Sequence, residues 1–397
     1  MDLSNRFEAV RQQSLRLAAP LSAEDCCVQS MPEASPSKWH LAHTSWFFET
    51  FLLEPFEAGF KPFHPAFRVL FNSYYNGVGD KHPRAQRGLL TRPDLDEVLA
   101  YRAAVDQRIL ALLQARSGDA RIAELMELGL QHEQQHQELM LTDLLHLLAQ
   151  NPLQPAYRSE AQDVTPAEPE LGWLHFAGGL QDIGHRGGGF CFDNELPSHQ
   201  QFLQPFELAT RLVSNAEFLA FVEAGGYHQP ELWLAEGWDW LRSQGLRKPL
   251  YWRQDEEAHR WLAFGLHGLQ PLDPHAPACH LSLFEADAFA RWAGARLPTE
   301  FEWEAAARAA SQIPALQQMH GQVWQWTSSS YAPFPGFAPA AGAVGEYNGK
   351  FMVNQYVLRG SSLATPAGHA RDSYRNFFPA HTRWQFSGIR LARSVPA

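Results

Sequence analysis

The chain has 397 residues and carries 32 basic against 43 acidic side chains, a formal net charge of −11. That length predicts two or three domains, each large enough for its own core. The acidic balance argues against a nucleic-acid partner, because sequence-independent affinity for nucleic acids comes from Lys and Arg on phosphates. No apolar run approaches the ~18 residues that span a bilayer. The N-terminus lacks the basic-then-apolar order of a secretory signal, so the expectation is a cytoplasmic protein with no membrane partner. The four cysteines form no CxxC and no dense framework, and they read as reduced, small apolar residues.

In chain order, the first 150 residues read as helical. Helices are predicted over Asn5–Leu17, Trp39–Leu53, Asp94–Arg116 and Ala120–Ala149, with apolar positions recurring at three-, four- and seven-residue intervals. Four amphipathic helices make a bundle. Ser22-Ala-Glu-Asp25 has the pattern of a capping box opening a short extra helix. Glu54–Pro93 reads as a long irregular stretch, which inside a compact domain points to function. Residues 151–170 hold four prolines and neither a helical nor a strand period, and they read as a linker. Residues 171–397 alternate short apolar runs with Gly and Pro, as in GWLHFAGGLQDIGH, FELATRLV, VLRGSS and GIRLAR. Helical inserts are predicted at Ser282–Ala293 and Thr299–Ala310, making this a loop-rich α+β domain. Eleven of the 13 tryptophans fall after residue 170, which marks a composition break between the halves.

The strongest chemical signal is Gln131–Leu139, QHEQQHQEL. His132 and His136 are four apart on a helix, so their rings project from one face and suit chelation of one divalent metal. His43 is the leading third ligand, with His40 one turn earlier as competitor or neighbour. The same pair also fits a polar helix face with incidental histidines. A second signal is a basic cluster, Arg68, Lys81, Arg84, Arg87 and Arg92 with the single acid Asp80, inside an acidic chain. It is read either as a grip on a substrate carboxylate or as a solvated loop paired with helix acids. The same stretch holds Tyr74 and Tyr75, which offer a phenol as proton donor or fill the core. Downstream, RLPTEFEWEAAAR, GQVWQWT, VLRGSS and GIRLAR read on their own as strands, turns and a helix capped by Thr299 with Glu302.

Taken together, in this order, these strings resemble the ergothioneine sulfoxide synthases. That family fuses a DinB-like four-helix bundle to a loop-rich domain of the formylglycine-generating-enzyme, C-type-lectin-like type. The fold class implied is an α domain over 1–150, the linker over 151–170, and an α+β domain over 171–397. The resemblance implies a non-heme Fe(2+) site on His43, His132 and His136, and an O2-dependent carbon–chalcogen bond at the imidazole C2 of hercynine. It puts Gln135 and Asn376 on hercynine; the trimethylammonium of that substrate needs aromatic faces or carbonyl oxygens, for which Phe377, Phe378 and neighbouring tryptophans are the candidates. Arg84 and Arg87 fall on the donor-binding positions, and Tyr75, next to Tyr74, falls where a proton is donated. Gln325, Ser361 and Leu363 depart from the family pattern, which leaves a thiol and a selenosugar of the selenoneine synthase branch both open as donor; the departures would suit a reshaped donor pocket. Two other readings stand beside this one: a DinB-type metal-dependent thiol S-transferase, which leaves the second domain idle, and a non-catalytic ligand-binding protein. A formylglycine-generating oxidase is excluded, because no cysteine follows Cys279.

Overall fold

The computed structural model describes residues 2–160, 165–167, 169–255, 257–342, 345 and 347–395. The chain folds into two compact units. The first is built on four helices, α1 (Leu3–Ala18), α2 (Ser37–Phe48), α3 (Leu95–Ala115) and α4 (Ala120–Ala149). Asp94 and Asp119 cap the last two, accepting the orphan N–H groups of their first turns. On α3 the buried residues Val98, Tyr101, Val105, Ile109 and Leu112 follow the expected stripe. Helix α2 is buried on every side, which suits its all-round aromatic and small composition. It ends five residues sooner than periodicity predicts, passing into a π turn over Glu49–Leu53. Ser22 and Asp25 do exchange the two bonds of a capping box, but they close a turn rather than open a helix. The stretch after α2 contains short helical turns at Glu54–Phe56, Phe67–Leu70 and Arg84–Leu89.

A buried ionic cluster ties the four helices together. Glu133 of α4 accepts from Arg11 Nη1 (3.0 Å) and Ser14 Oγ (2.6 Å) of α1, and from Arg102 Nη2 of α3. Arg11 also donates to Asp106 of α3 and Ser45 of α2, and Arg102 to Thr44 of α2. Burial works to raise the Glu133 carboxyl, but the two guanidiniums outweigh it and hold it at about 2. Glu133 adjoins His132 and Thr44 adjoins His43, so the cluster fixes the backbone beneath both.

The second unit carries twelve strands among the described residues. β1 (Trp173–Phe176), β4 (Phe206–Ala209) and β12 (Ala392–Ser394) form an antiparallel sheet with β4 in the centre, and β2 (Gly179–Ile183) pairs with β3 (His199–Leu203). β5 (Trp252–Asp255), β6 (Arg260–Gly265) and β7 (Gly268–Pro271) form a meander. The fourth sheet has the order β10–β9–β8–β11, from β8 (Trp324–Ser330), β9 (Tyr356–Gly360), β10 (Asn376–Phe378) and β11 (Ser387–Gly388). Only its β8–β11 pair is parallel. Four helices accompany the sheets: α5 (Asn215–Glu223), α6 (Ala235–Gln244), α7 (Leu283–Trp292) and α8 (Glu300–Ala309). Thr299 and Glu302 form the expected capping box on α8. Ser214 and Glu217 form an equivalent one on α5, a helix the periodicity did not announce.

Two features differ from the sequence reading. The first unit runs to Tyr157 and includes Ala340–Tyr347 and Thr365–His369, where a boundary near residue 150 was expected. Side-chain bonds explain the second of these segments: Thr365 Oγ1 donates to Glu138 Oε2 (2.8 Å), and His369 Nδ1 lies 2.6 Å from Gln131 Oε1, both partners on α4. Of the expected linker, residues 161–164 and 168 lie outside the described residues. The other difference is Gln325, one of three family departures that would together suit a reshaped donor pocket. It is instead a fully buried core residue whose Oε1 accepts from Trp303 Nε1 (2.7 Å) and Arg390 Nε (2.8 Å) and whose Nε2 donates to Met319 O (2.8 Å). Ser361 is likewise buried, accepting from Gly321 N, while Leu363 is exposed.

Candidate metal centre

Helix α2 presents His43 and α4 presents His132 and His136, one nitrogen of each lying within 4.8 Å of the others. The i, i+4 spacing on α4 sets two rings one turn apart. His43 is oriented through its other nitrogen: Nδ1–H donates to Phe71 O at 2.6 Å, which leaves Nε2 as the lone-pair atom, buried and without a partner. His132 Nδ1 is also buried without a partner, while His136 Nδ1 lies 2.8 Å from His40 Nδ1. Burial holds His43 and His136 well below the ordinary histidine value, and repulsion among the clustered rings adds to it. His132 is lowered to about 3 by burial, against the pull of the Glu133 carboxylate. Three neutral imidazoles whose ligand nitrogens converge, two of them buried and without a hydrogen-bond partner, fit a divalent metal of intermediate softness.

Aromatic rings wall the cluster. The His43 ring is sandwiched between Trp39 (4.5 Å, 14°) and Trp46 (5.5 Å, 18°), and Phe47 stacks on His132 (4.5 Å, 27°). Trp39, His43 and Trp46 stand at i, i+4 and i+7 of α2, a spacing visible in the sequence but not used above. Gly129 permits the contact on the other side: a Cβ there would come within 2.6 Å of Phe48 and 3.2 Å of Phe47.

The other expected residues of the first unit gather around this wall. Arg87 is buried, with its guanidinium carbon 3.4 Å from the Trp39 ring centroid and Nη1 donating to Ser35 Oγ (2.8 Å). Its Nε has no partner, and among the described residues no carboxylate pairs with it. Burial pulls this guanidinium down to about 9, which still leaves it a cation at neutral pH. Tyr75 is buried, 5.5 Å from Trp46, 5.2 Å from Phe51 and 6.4 Å from Phe47, so one ring separates it from the histidines. Asn72 latches that loop, its Nδ2 donating to Tyr75 O and its Oδ1 accepting from Tyr75 N. Tyr74 takes a different course: its hydroxyl accepts from Arg84 Nη1 (2.6 Å) and its ring lies 6.3 Å from Tyr347. Gln135 stands half-buried on α4, one residue before His136. A cleft of about 670 Å3 opens along the same stripe of α4, lined by Phe51, Arg68, Val78, Arg121, Leu125 and Leu128. Asn376, Phe377 and Phe378 belong to the second unit, on edge strand β10, where Phe377 stacks on Tyr331 at 4.1 Å.

Comparison with known proteins assigns both units. The model for the DinB superfamily matches residues 6–140, and that for the sulfatase-modifying factor enzyme 1-like domain matches 161–315 and 313–395. A formylglycine-generating enzyme of Streptomyces coelicolor is 33% identical, but over only 39% of this chain and 52% of its own. Hercynine oxygenase of Mycobacterium tuberculosis is 31% identical over 99% of both chains. That of Mycolicibacterium thermoresistibile is 30% identical over 99% of this chain and 95% of its own. Similarity that runs through the helical and the sheet-rich unit alike, rather than stopping at either, makes this chain an oxidoreductase that belongs to the hercynine oxygenase family.

Proposed function

We propose that this protein joins a chalcogen donor to the imidazole C2 of hercynine, using O2 and Fe(2+) held by His43, His132 and His136. The observation that carries the reading is the convergence of three neutral imidazoles, two buried and one half-buried, with His43 aimed by the Phe71 carbonyl. Iron at such a site supplies the redox chemistry with O2 that an unactivated C–H bond requires. The balance is simple: the C2 hydrogen and the donor hydrogen leave with one oxygen as water, and the second oxygen stays on the chalcogen as sulfoxide or selenoxide.

The remaining roles fall to groups of this chain. Arg87, a buried cation lacking a carboxylate, neutralises an anionic donor with little competition from solvent, and Arg84 assists it. Tyr75, enclosed by Trp46 and Phe51, delivers a proton during coupling, with Tyr74 holding Arg84 in place. The aromatic wall of Trp39, Trp46 and Phe47 excludes water. Gln135 is read as a hercynine contact on α4; for Asn376, Phe377 and Phe378 the support is their motif positions, with aromatic faces suited to a trimethylammonium, which has no N–H to donate.

The test is anaerobic reconstitution with Fe(2+), then air, hercynine and, in separate arms, cysteine, γ-glutamylcysteine or a selenosugar. An oxygenated hercynine adduct containing sulfur or selenium, seen by mass spectrometry, supports the reading and names the donor. Bound iron with no adduct from any donor overturns it.

A further inference from the structure

Behind the third histidine lies a chain of buried polar groups, and it has one consistent polarity. Asp143 Oδ2 accepts the backbone N–H of Ser35 (2.8 Å) and lies 3.0 Å from His40 Nε2. His40 Nδ1 lies 2.8 Å from His136 Nδ1. Ser35 Oγ accepts from Arg87 Nη1 (2.8 Å), so the chain ends on the candidate donor-binding arginine. Asp143, His40 and Ser35 are all buried. Two facing imidazole nitrogens at 2.8 Å require one hydrogen between them. For His136 to offer Nε2 to a cation, its hydrogen must sit on Nδ1, which makes His40 Nδ1 the acceptor. His40 then carries its own hydrogen on Nε2, where the carboxylate oxygen is ready to accept it. Reversing the chain would put the His136 hydrogen on Nε2, leaving that nitrogen no lone pair for a cation, and would leave Asp143 Oδ2 facing a lone pair.

We infer that His40 and Asp143 are positioning residues: through the relay Asp143–His40–His136 they fix His136 as the Nδ1–H tautomer, hold its ring, and present Nε2 to the metal. The inference rests on the three-histidine reading above. The relay also places Ser35 between ligand orientation and the Arg87 grip, so that one backbone segment serves both. Outer partners of this kind set ring orientation and ligand basicity, and their loss costs metal affinity without removing a ligand.

The experiment is equilibrium Co(II) binding to the full chain, with the ligand-field spectrum recorded, for wild type, His136→Ala, His40→Phe, Asp143→Leu and Asp143→Asn. His136→Ala is expected to abolish the high-affinity site. His40→Phe and Asp143→Leu are expected to weaken Co(II) binding about 10- to 100-fold and to alter the spectrum, with far-UV circular dichroism of the metal-free protein unchanged. Asp143→Asn, which retains an acceptor oxygen, is expected to recover part of the loss. Wild-type affinity and spectrum in both relay variants, with His136→Ala inactive in binding, overturn the relay and leave the metal reading standing. No Co(II) binding by wild type overturns both. Where a variant does not fold, nitrogen NMR of 15N-histidine-labelled wild type decides: hydrogen on Nδ1 of His136 supports the relay, and hydrogen on Nε2 refutes it.

Discussion

At the scale of single residues, the two groups nearest the proposed chemistry make separable predictions. Tyr75→Phe removes one hydroxyl from an enclosed ring and leaves the histidines and their aromatic wall untouched. The variant is expected to bind metal normally and to divert turnover from coupled product toward oxidised donor. Product ratios measured by mass spectrometry check this, and an unchanged ratio refutes the role. Arg87→Met keeps a long chain against Trp39 and removes the charge. For a donor bearing a carboxylate, a lost charge-assisted bond worth roughly 1.5–3 kcal/mol raises KM about 10- to 100-fold. A selenosugar lacks that carboxylate, so its KM should hardly move. The kinetics of one variant with two donors therefore separate the branches.

At the scale of elements, the site is held by how α2 and α4 meet. Gly129 is a poor residue for a helix interior, and Gly→Ala on an exposed helix gains about 1 kcal/mol. Here the added Cβ would run into the Phe48 ring and press on Phe47, which stacks on His132. Gly129→Ala is expected instead to destabilise the fold by about 1–3 kcal/mol and to perturb metal binding. Denaturant unfolding beside a Co(II) titration reads both. Glu133 is the other fastening, and its carboxylate serves two buried arginines at once. Glu133→Ala leaves both uncompensated and is expected to cost about 3–5 kcal/mol. A loss under 1 kcal/mol in thermal unfolding would show that water or neighbouring acids replace it.

At the scale of the whole molecule, the histidine cluster couples stability to pH. The folded chain holds His43, His132 and His136 well below 6.5, the ordinary value that an unfolded chain restores. Between about pH 6.5 and the lowered values the unfolded state binds more protons, so stability rises with pH across that window. The stabilisation is complete above 6.5 and is lost as pH falls, by ~1.4 kcal/mol per pH unit for each group that is fully shifted. Metal-free protein should therefore melt at steadily lower temperature from pH 7 to pH 4, and His132→Phe should flatten the curve. A flat profile in wild type would mean that the rings are solvated. Added metal should raise the melting temperature most at neutral pH, where no proton competes for the nitrogens.

Much of this was legible in the sequence. Periodicity placed four helices to within a few residues, because an apolar stripe at 3.6-residue spacing is a local property of the chain. Spacing also put His132 and His136 on one face, and the order of short motifs carried the family. Other features needed the tertiary fold. The pairing of His43 with α4, the place of Arg87 over Trp39 and the burial of Glu133 between two arginines each join residues dozens of positions apart, where no local period exists. Gln325 makes the same point in reverse: as a string it is a departure from a motif, and in the fold it satisfies Trp303, Arg390 and Met319 in a core. Thr365 and His369 belong to the helical unit because their side chains find α4 partners, more than 200 residues away in sequence. Local sequence determines which elements form and which face is chemical; only packing decides which distant groups are buried together, and desolvation in that company is what makes three histidines neutral and one arginine an unpaired cation.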